Sequence, residues 1–353
     1  MREFNYSNLK DKKWSNEVLG YCSAIHEAKG KQDLYLQQKP QELEMLVEIS
    51  KVQSTEASNS IEGIRTTDTR LKQLCTNKTT PRNRDEEEIA GYRDALNTIH
   101  ENFEYIPITP NYILQLHKVL YSHQISDIGG KFKNVQNYIS ATDENGKSFT
   151  LFTPLAPYET PEAVQRICDE YNRAIADNIV DPLILIPIFI HDFLCIHPFV
   201  DGNGRMSRLL TTLLLYRSGY YVGKYISLES KISNSKNLYY DALEKSQEGW
   251  EINADNPEPF IKYLLGTVLS AYRDFEDRFN IVSGKPTSVD IVRRAINSII
   301  GKFTKAKLLE LCPSLSVSTV ESVLRTLIKN NEIERHGNGK LTFYTKKVWC
   351  DFL

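Results

Sequence analysis

Twelve consecutive residues, His197-Pro198-Phe199-Val200-Asp201-Gly202-Asn203-Gly204-Arg205-Met206-Ser207-Arg208, bring together side chains suited to one kind of chemistry. An imidazole titrates close to neutrality and can take a proton from a hydroxyl. A carboxylate offers hard oxygen ligands to magnesium. Two arginines three positions apart share one side of a helix and can grip phosphate in a bidentate way. Gly202 and Gly204 let the backbone turn its N–H groups inward where a helix begins, which makes an anion-binding concavity. Together these parts can hold the phosphates of a nucleotide and activate a hydroxyl toward one of them. Met206, Leu209, Leu210, Leu213 and Leu214 follow helical spacing and would bury the other side. Taken singly, a histidine beside an apolar run packs a core and paired arginines are a solvated face. Twelve positions in one pattern leave that reading little room. His191, set between Ile188-Phe189-Ile190 and Phe193-Leu194, is expected to be a core residue and not the base.

The twelve residues match, position by position, the signature His-x-Phe-x-Asp/Glu-Gly-Asn-Gly-Arg-x-x-Arg, and the chain therefore resembles the Fic family. The resemblance implies transfer of a nucleoside monophosphate, usually AMP from ATP, to a Ser, Thr or Tyr hydroxyl of a target protein, with diphosphate leaving. By it, His197 is the general base and Asp201 the carboxylate that holds Mg2+ against the α- and β-phosphates. Gly202, Asn203 and Gly204 cradle the phosphates, with the Asn203 side chain as an added donor. Arg205 neutralises the β-phosphate and Arg208 the γ-phosphate, while Phe199 anchors the loop to the core.

A second stretch, Ser58-Asn59-Ser60-Ile61-Glu62-Gly63, matches the inhibitory pattern Ser/Thr-x-x-x-Glu-Gly/Asn of many relatives. There the glutamate pairs with the second signature arginine, here Arg208, and blocks the γ-phosphate. Residues 40–62 are rich in helix formers, and Gly63 reads as the terminator just past the helix end. Glu62 then sits at the negative end of the helix dipole, where a carboxylate is mildly unfavourable. A residue that breaks a local rule often has a partner elsewhere, and an arginine would suit it.

The elements that must position these groups read as mainly α. Residues 1–108 form an expected N-terminal helical region, with helices over Gln41–Glu62 and Asp85–Phe103 separated by Thr79-Thr80-Pro81. Its stretch Glu88-Ile89-Ala90-Gly91-Tyr92 also resembles the family's N-terminal region. Residues 109–279 form the expected catalytic domain. A helix runs from Asn111 to Ser122, and Val135–Thr153 alternates around the hairpin signal Glu144-Asn145-Gly146. In the family a hairpin here is a flap that aligns the target by strand addition. Relatives often carry Gly-x-Phe-Arg just before it; this chain has Gly130-Lys131-Phe132-Lys133, and lysine is the looser anion partner, so Lys133 stays outside the expected site. The apolar run Leu183–Ile190 is the expected buried helix leading into the loop. A further helix opens at Asn237-Leu238-Tyr239-Tyr240, where the resemblance places adenine; Asn237 and Tyr240 are candidates, with plain helix packing equally open.

Residues 280–287, containing Ser283-Gly284-Lys285-Pro286, read as a linker. Beyond it, helical patterns over Ser288–Ile300, Thr304–Leu311 and Ser316–Asn331 precede strands at Ile333–Arg335 and Leu341–Thr345, an order that resembles a winged helix-turn-helix over 288–353. Lys285–Leu353 holds twelve Lys/Arg against six Asp/Glu, an excess of +6 in a chain whose net charge is −2. A basic module on an acidic body points to nucleic acid. The helix that would enter a groove carries only Arg325 and Lys329, so contact with a protein partner fits equally well.

Six scattered cysteines without metal spacing suit a reducing cytosol. No signal peptide is visible, and the most apolar run is too short to span a bilayer, so a cytoplasmic protein with no membrane contact is expected. The resemblance also allows a homodimer. Competing functions are transfer of UMP, removal of AMP, and a DNA-binding regulator whose Fic domain senses nucleotide.

Overall fold

The computed structural model describes residues 2–347 apart from 39, 126, 143–147, 284–286, 298, 300, 313–314 and 340–341. It divides into two units, Met1–Phe275 and Glu276–Leu353. The first is helical: α1 (Asn16–Gln38), α2 (Pro40–Ile61), α3 (Asp68–Cys75), α4 (Arg84–Asn102) and α5 (Pro110–Leu120) lead to a hairpin of β1 (Ile139–Thr142) and β2 (Ser148–Phe152). Then follow α6 (Thr160–Ala176), α7 (Pro182–Ile196), α8 (Asn203–Arg217), α9 (Val222–Tyr225), α10 (Leu228–Asn234), α11 (Lys236–Gln247) and α12 (Glu258–Ser283). Fold class is as the sequence implies, mainly α with one small hairpin in the catalytic region.

α7 is the keel of this unit. Asp181 caps it, its carboxylate accepting from the Leu183 amide at 2.8 Å, and Pro182 opens it at a position where no amide is needed. Apart from His191 and Asp192 its residues are apolar, and Leu183, Leu185, Ile186, Phe189, Phe193 and Ile196 are all fully buried; Asp192 is paired with Arg2, Tyr6 and Trp250. α8 packs against it as the returning arm, presenting Leu209, Leu210, Leu213 and Leu214. α2 and α4 cover the other side of α8. α4 is capped by Asn83, which accepts from the Glu86 amide at 3.0 Å, and carries Asp85, Glu86 and Glu87 against the positive end of its dipole. A Cβ on Gly91 would collide with the Leu120 carbonyl, so α4 meets the end of α5 backbone to backbone.

β1 and β2 pair antiparallel, with a register shift between Ile139 and Ser140. The expected turn at Glu144-Asn145-Gly146 lies outside the described residues.

In the second unit α13 (Ser288–Asn297), α14 (Lys305–Leu311) and α15 (Val317–Lys329) precede an antiparallel pair, β3 (Ile333–His336) and β4 (Phe343–Lys346). Val292, Leu308, Val320, Leu324, Leu327 and Ile333 form its core. Phe303, between α13 and α14, exchanges two backbone hydrogen bonds with Tyr344 at 2.9 and 2.8 Å. The expected linker begins later than position 280: α12 continues to Ser283, because nothing before Gly284 breaks a helix. Among the described residues no helix is long and apolar enough to cross a membrane.

Candidate active site

His197 ends α7 in the left-handed conformation, φ +51°, and Gly202 opens α8 with φ +84°. Three carbonyls between them, of Pro198, Phe199 and Asp201, accept hydrogen bonds from neighbouring elements. The Lys133 amide donates to the Pro198 carbonyl at 2.9 Å, and Asn137 Nδ2 donates to the Phe199 carbonyl at 3.0 Å. His117 Nδ1 accepts from the Gly130 amide at 3.0 Å, so its Nε2–H donates to the Asp201 carbonyl at 3.1 Å. Burial holds the His117 ring down to about 4, which keeps that tautomer neutral. Phe199, fully buried, stacks on the same ring with centroids 3.7 Å apart, and so anchors the loop. The first amides of α8 have no helical carbonyl partners, and Asn203 and Gly204 line the cavity.

Asn203 Oδ1 accepts from the Phe199 amide at 2.9 Å and its Nδ2 donates to the Phe199 carbonyl at 2.7 Å. The side chain therefore fastens the loop across four residues, which uses one of its two Nδ2 hydrogens. A buried amide with both ends free would be costly, and the nearest partners are on the loop itself.

The loop floors a cavity of about 610 Å³ lined by His197, Asp201, Gly202, Asn203, Gly204, Arg205 and Arg208. Tyr138, Ile139, Ser140 and Leu151 of the hairpin form one wall, and Tyr239, Tyr240, Leu243, Glu244 and Gln247 of α11 another. Asn237, exposed in the first turn of α11, does not line it. Leu243, Glu244 and Gln247 were missed in the sequence, although they follow Tyr240 at three, four and seven positions and so share its face.

His197 Nδ1 lies 3.3 Å from the Leu194 carbonyl, which it reaches as a donor, leaving the lone pair on Nε2. Burial pulls the ring down to about 4, and Lys133 pulls the same way; the Leu194 carbonyl, Glu62 and Asp201 oppose them. At neutral pH His197 is an uncharged base. Lys133 itself is buried, donating to the Ile196 carbonyl at 3.0 Å and to Asn137 Oδ1 at 3.1 Å. Burial brings its ammonium down to about 8. It braces the loop from behind, a role that residue type alone did not reveal.

Asp201 stands at the mouth of the cavity with its side chain 45% exposed. Its Oδ1 accepts from the Gly202 amide at 2.7 Å, and its Oδ2 lies 3.6 Å from Arg205 Nη2 and 3.7 Å from Arg84 Nη2. Among the described residues no cluster of three or more acidic, His or Cys side chains could hold a metal by itself. One exposed carboxylate fits magnesium, which keeps several waters and takes its other ligands from phosphate.

Arg205 reaches the cavity wall but is only 1% exposed. Its Nη1 pairs with Glu88 Oε2 at 2.6 Å, and its Nη2 donates to the Tyr121 hydroxyl at 2.9 Å. Arg208 is equally buried, and here the two distant motifs meet. Its Nη2 donates to Glu62 Oε1 at 2.7 Å and to the Ser58 carbonyl at 2.9 Å, while its Nε donates to Ser58 Oγ at 2.8 Å. Glu62 lies one residue past the end of α2, with Gly63 at φ +83° just beyond. A Cβ on Gly204 would run into Glu62 Oε1, so the carboxylate presses on the first turn of α8, where an anion would bind. The unfavourable position at a helix C-terminus is further offset by Lys236, whose ammonium donates to the Ile61 carbonyl at 2.6 Å.

Residues 107–215 match the Fic/DOC family. Similar proteins include the protein adenylyltransferase Fic of Drosophila willistoni, 29% identical over 178 residues that make up 50% of this chain and 31% of that one. Protein adenylyltransferase fic-1 of Caenorhabditis briggsae is 27% identical over 184 residues, 51% of this chain and 32% of that one. The matched stretch thus spans about a third of these relatives' length. Among solved structures, a Fic family protein from Desulfovibrio desulfuricans shares the fold with a TM-score of 0.60 at 19% identity, covering 95% of this chain and 97% of that one. A Fic domain containing signaling protein from Bacteroides thetaiotaomicron matches with a TM-score of 0.58 at 25% identity, covering 73% of this chain and 94% of that one.

Proposed function

We propose that the chain, whose residues 107–215 match the Fic/DOC family, is a self-inhibited protein adenylyltransferase that moves AMP from ATP to a Ser, Thr or Tyr hydroxyl of a target protein. In the reaction the hydroxyl oxygen bonds to the α-phosphorus and the bond to the β-phosphate bridge breaks. Diphosphate leaves with that electron pair, and the hydroxyl proton passes to His197 Nε2. The names of the relatives support the activity at the level of the domain.

Asp201 would hold Mg2+, which when bound neutralises developing charge on the phosphates. Asn203 and Gly204 offer main-chain donors, Gly202, whose amide is taken by Asp201 Oδ1, supplies the turn, and Arg205 and Arg208 are the cationic partners. Tyr240, which lines the cavity, would stack on the base. Ile139 and Ser140, on the exposed strand that borders the cavity, can pair with an extended target segment by strand addition.

The observation that carries self-inhibition is the set of three hydrogen bonds that Arg208 donates to Ser58 and Glu62. It occupies the cation meant for the γ-phosphate, and ATP can then bind only with its chain misaligned. Hydrogen bonds to charged groups contribute about 1.5–3 kcal/mol, so releasing Glu62 should raise transfer by roughly tenfold to a hundredfold. Labelled ATP tests this: Glu62→Gly is expected to incorporate more label than wild type, and Glu62→Gly combined with His197→Ala to incorporate none. Equal labelling of all three would refute the reading. Competition by UTP in the same assay measures base preference, and strong competition would favour transfer of UMP. The second unit we propose as a winged-helix docking module for nucleic acid or protein.

A further inference from the structure

Glu88, on α4, is a buried carboxylate with no part in the transfer step just described, yet it is bonded to a residue that has one. It is 3% exposed and lies between two guanidinium groups: Oε2 is 2.6 Å from Arg205 Nη1, and Oε1 accepts from Arg84 Nε at 2.8 Å. One turn further along α4, Gly91 permits the contact with the Leu120 backbone that brings Tyr121 in from the other side. The Tyr121 hydroxyl accepts from Arg205 Nη2 at 2.9 Å, and it lies 2.9 Å from where a Cβ on Gly202 would be. The Arg205 guanidinium is thus held on two edges, by an ion pair at Nη1 and a hydrogen bond at Nη2, while neither Nε nor Nη1 has a hydrogen-bond partner.

The nearest other carboxylate matters as much. Asp201 Oδ2 is 3.6 Å from the same Nη2 that Tyr121 holds. A buried guanidinium deprived of its counter-ion carries a penalty of several kcal/mol and will turn to whatever anion is in reach. Turned onto Asp201, Arg205 would cover the carboxylate that magnesium needs and would leave the β-phosphate unmatched.

We propose that Glu88 is a positioning residue that holds Arg205 aimed at the β-phosphate and keeps it off Asp201. The proposal rests on the nucleotide-transfer reading. Glu88 fixes the guanidinium plane through a charged, desolvated contact, Tyr121 fixes its second edge, and Arg84 shares the surplus charge of the carboxylate at the surface.

Calorimetric titration of AMP and of ADP, each with and without magnesium, tests it in a Glu62→Gly parent. Glu88→Gln, which keeps shape and an acceptor oxygen, should weaken ADP by about tenfold while AMP changes less than about twofold. The gain in ADP affinity that magnesium provides in the parent should be lost. Tyr121→Phe, which removes one uncharged contact, should give the same β-phosphate-selective loss at about threefold. Should Glu88→Gln fail to fold, Tyr121→Phe decides. Equal weakening of AMP and ADP would show a merely structural role and overturn the proposal, as would unchanged or tighter ADP binding. A parent that binds no nucleotide would overturn the transfer reading together with this one.

Discussion

Arg205 and Arg208 are almost wholly buried, and each meets a carboxylate on a helix more than a hundred residues earlier in the chain. The charges of the C-terminal unit are arranged the other way. Lys307 and Glu310 pair at 2.8 Å with 52% and 66% of their side chains exposed, and Lys305 and Glu321 at 2.6 Å with 43% and 39%. Exposed pairs are worth little and need no special reason to exist. A buried ion pair loses solvation on both sides, and removal of one member strands the other. Buried pairs also join Arg2 to Asp192 and Arg70 to Glu86, so what sets the loop apart is that two buried, paired arginines line one cavity, while Arg325 on α15 is 80% exposed.

That contrast can be broken by substitution. The largest effect is expected at His197. With a positioned base contributing about 10²–10⁴-fold, His197→Ala should reduce transfer by that factor while the unfolding midpoint stays close to wild type. A variant that retained activity would remove the base from the account.

Acidity comes next. His197 and His117 are held down to about 4 and His100 to about 3, each chiefly by burial, against an ordinary value near 6.5. The folded state keeps these rings neutral while the unfolded chain takes up protons below about 6.5. Stability should then fall steadily from pH 6.5 toward pH 4 and be level with respect to these groups above 7. A midpoint that did not move between pH 7 and pH 4.5 would contradict it. Catalysis gives a sharper form. Phosphate charges entering the cavity favour the protonated ring, so the acid limb of kcat should lie at higher pH than that of kcat/KM. Coincident limbs would count against His197 as the base.

The smallest effect belongs to the other side of the comparison. Lys307→Gln or Glu310→Gln should change stability by less than about 0.5 kcal/mol and leave transfer untouched. A large loss from either would show that the exposed charges of the second unit are not merely solvated.

Much of the site was readable from residue order. The loop from His197 to Arg208, the Ser58–Glu62 stretch and the junction at Gly63 are local patterns, and each sits where its pattern implies. What escaped was contact across the chain. Asn203 carries a donor suited to phosphate, and its side chain also fastens to Phe199, four residues back, a contact that depends on how the loop is folded. Arg205 gives no sign in its own surroundings that Glu88 and Tyr121 grip it. Lys133 looked like a weak substitute for an arginine, whereas burial and the Ile196 carbonyl make it a brace. The helix expected from Asn237 is there as α11, but Glu244 and Gln247, rather than Asn237, face the cavity. The turn of the hairpin at 144–146 lies outside the described residues.

If Glu62 takes the place of the γ-phosphate on Arg208, nucleotide affinity reports it directly. Isothermal titration of ATP and ADP into wild type and Glu62→Gly should show ATP binding tightened by about tenfold in the variant, with ADP, which has no γ-phosphate, changed by less than about twofold. Equal gains for ATP and ADP, or no gain for either, would mean that the carboxylate does not compete for that position.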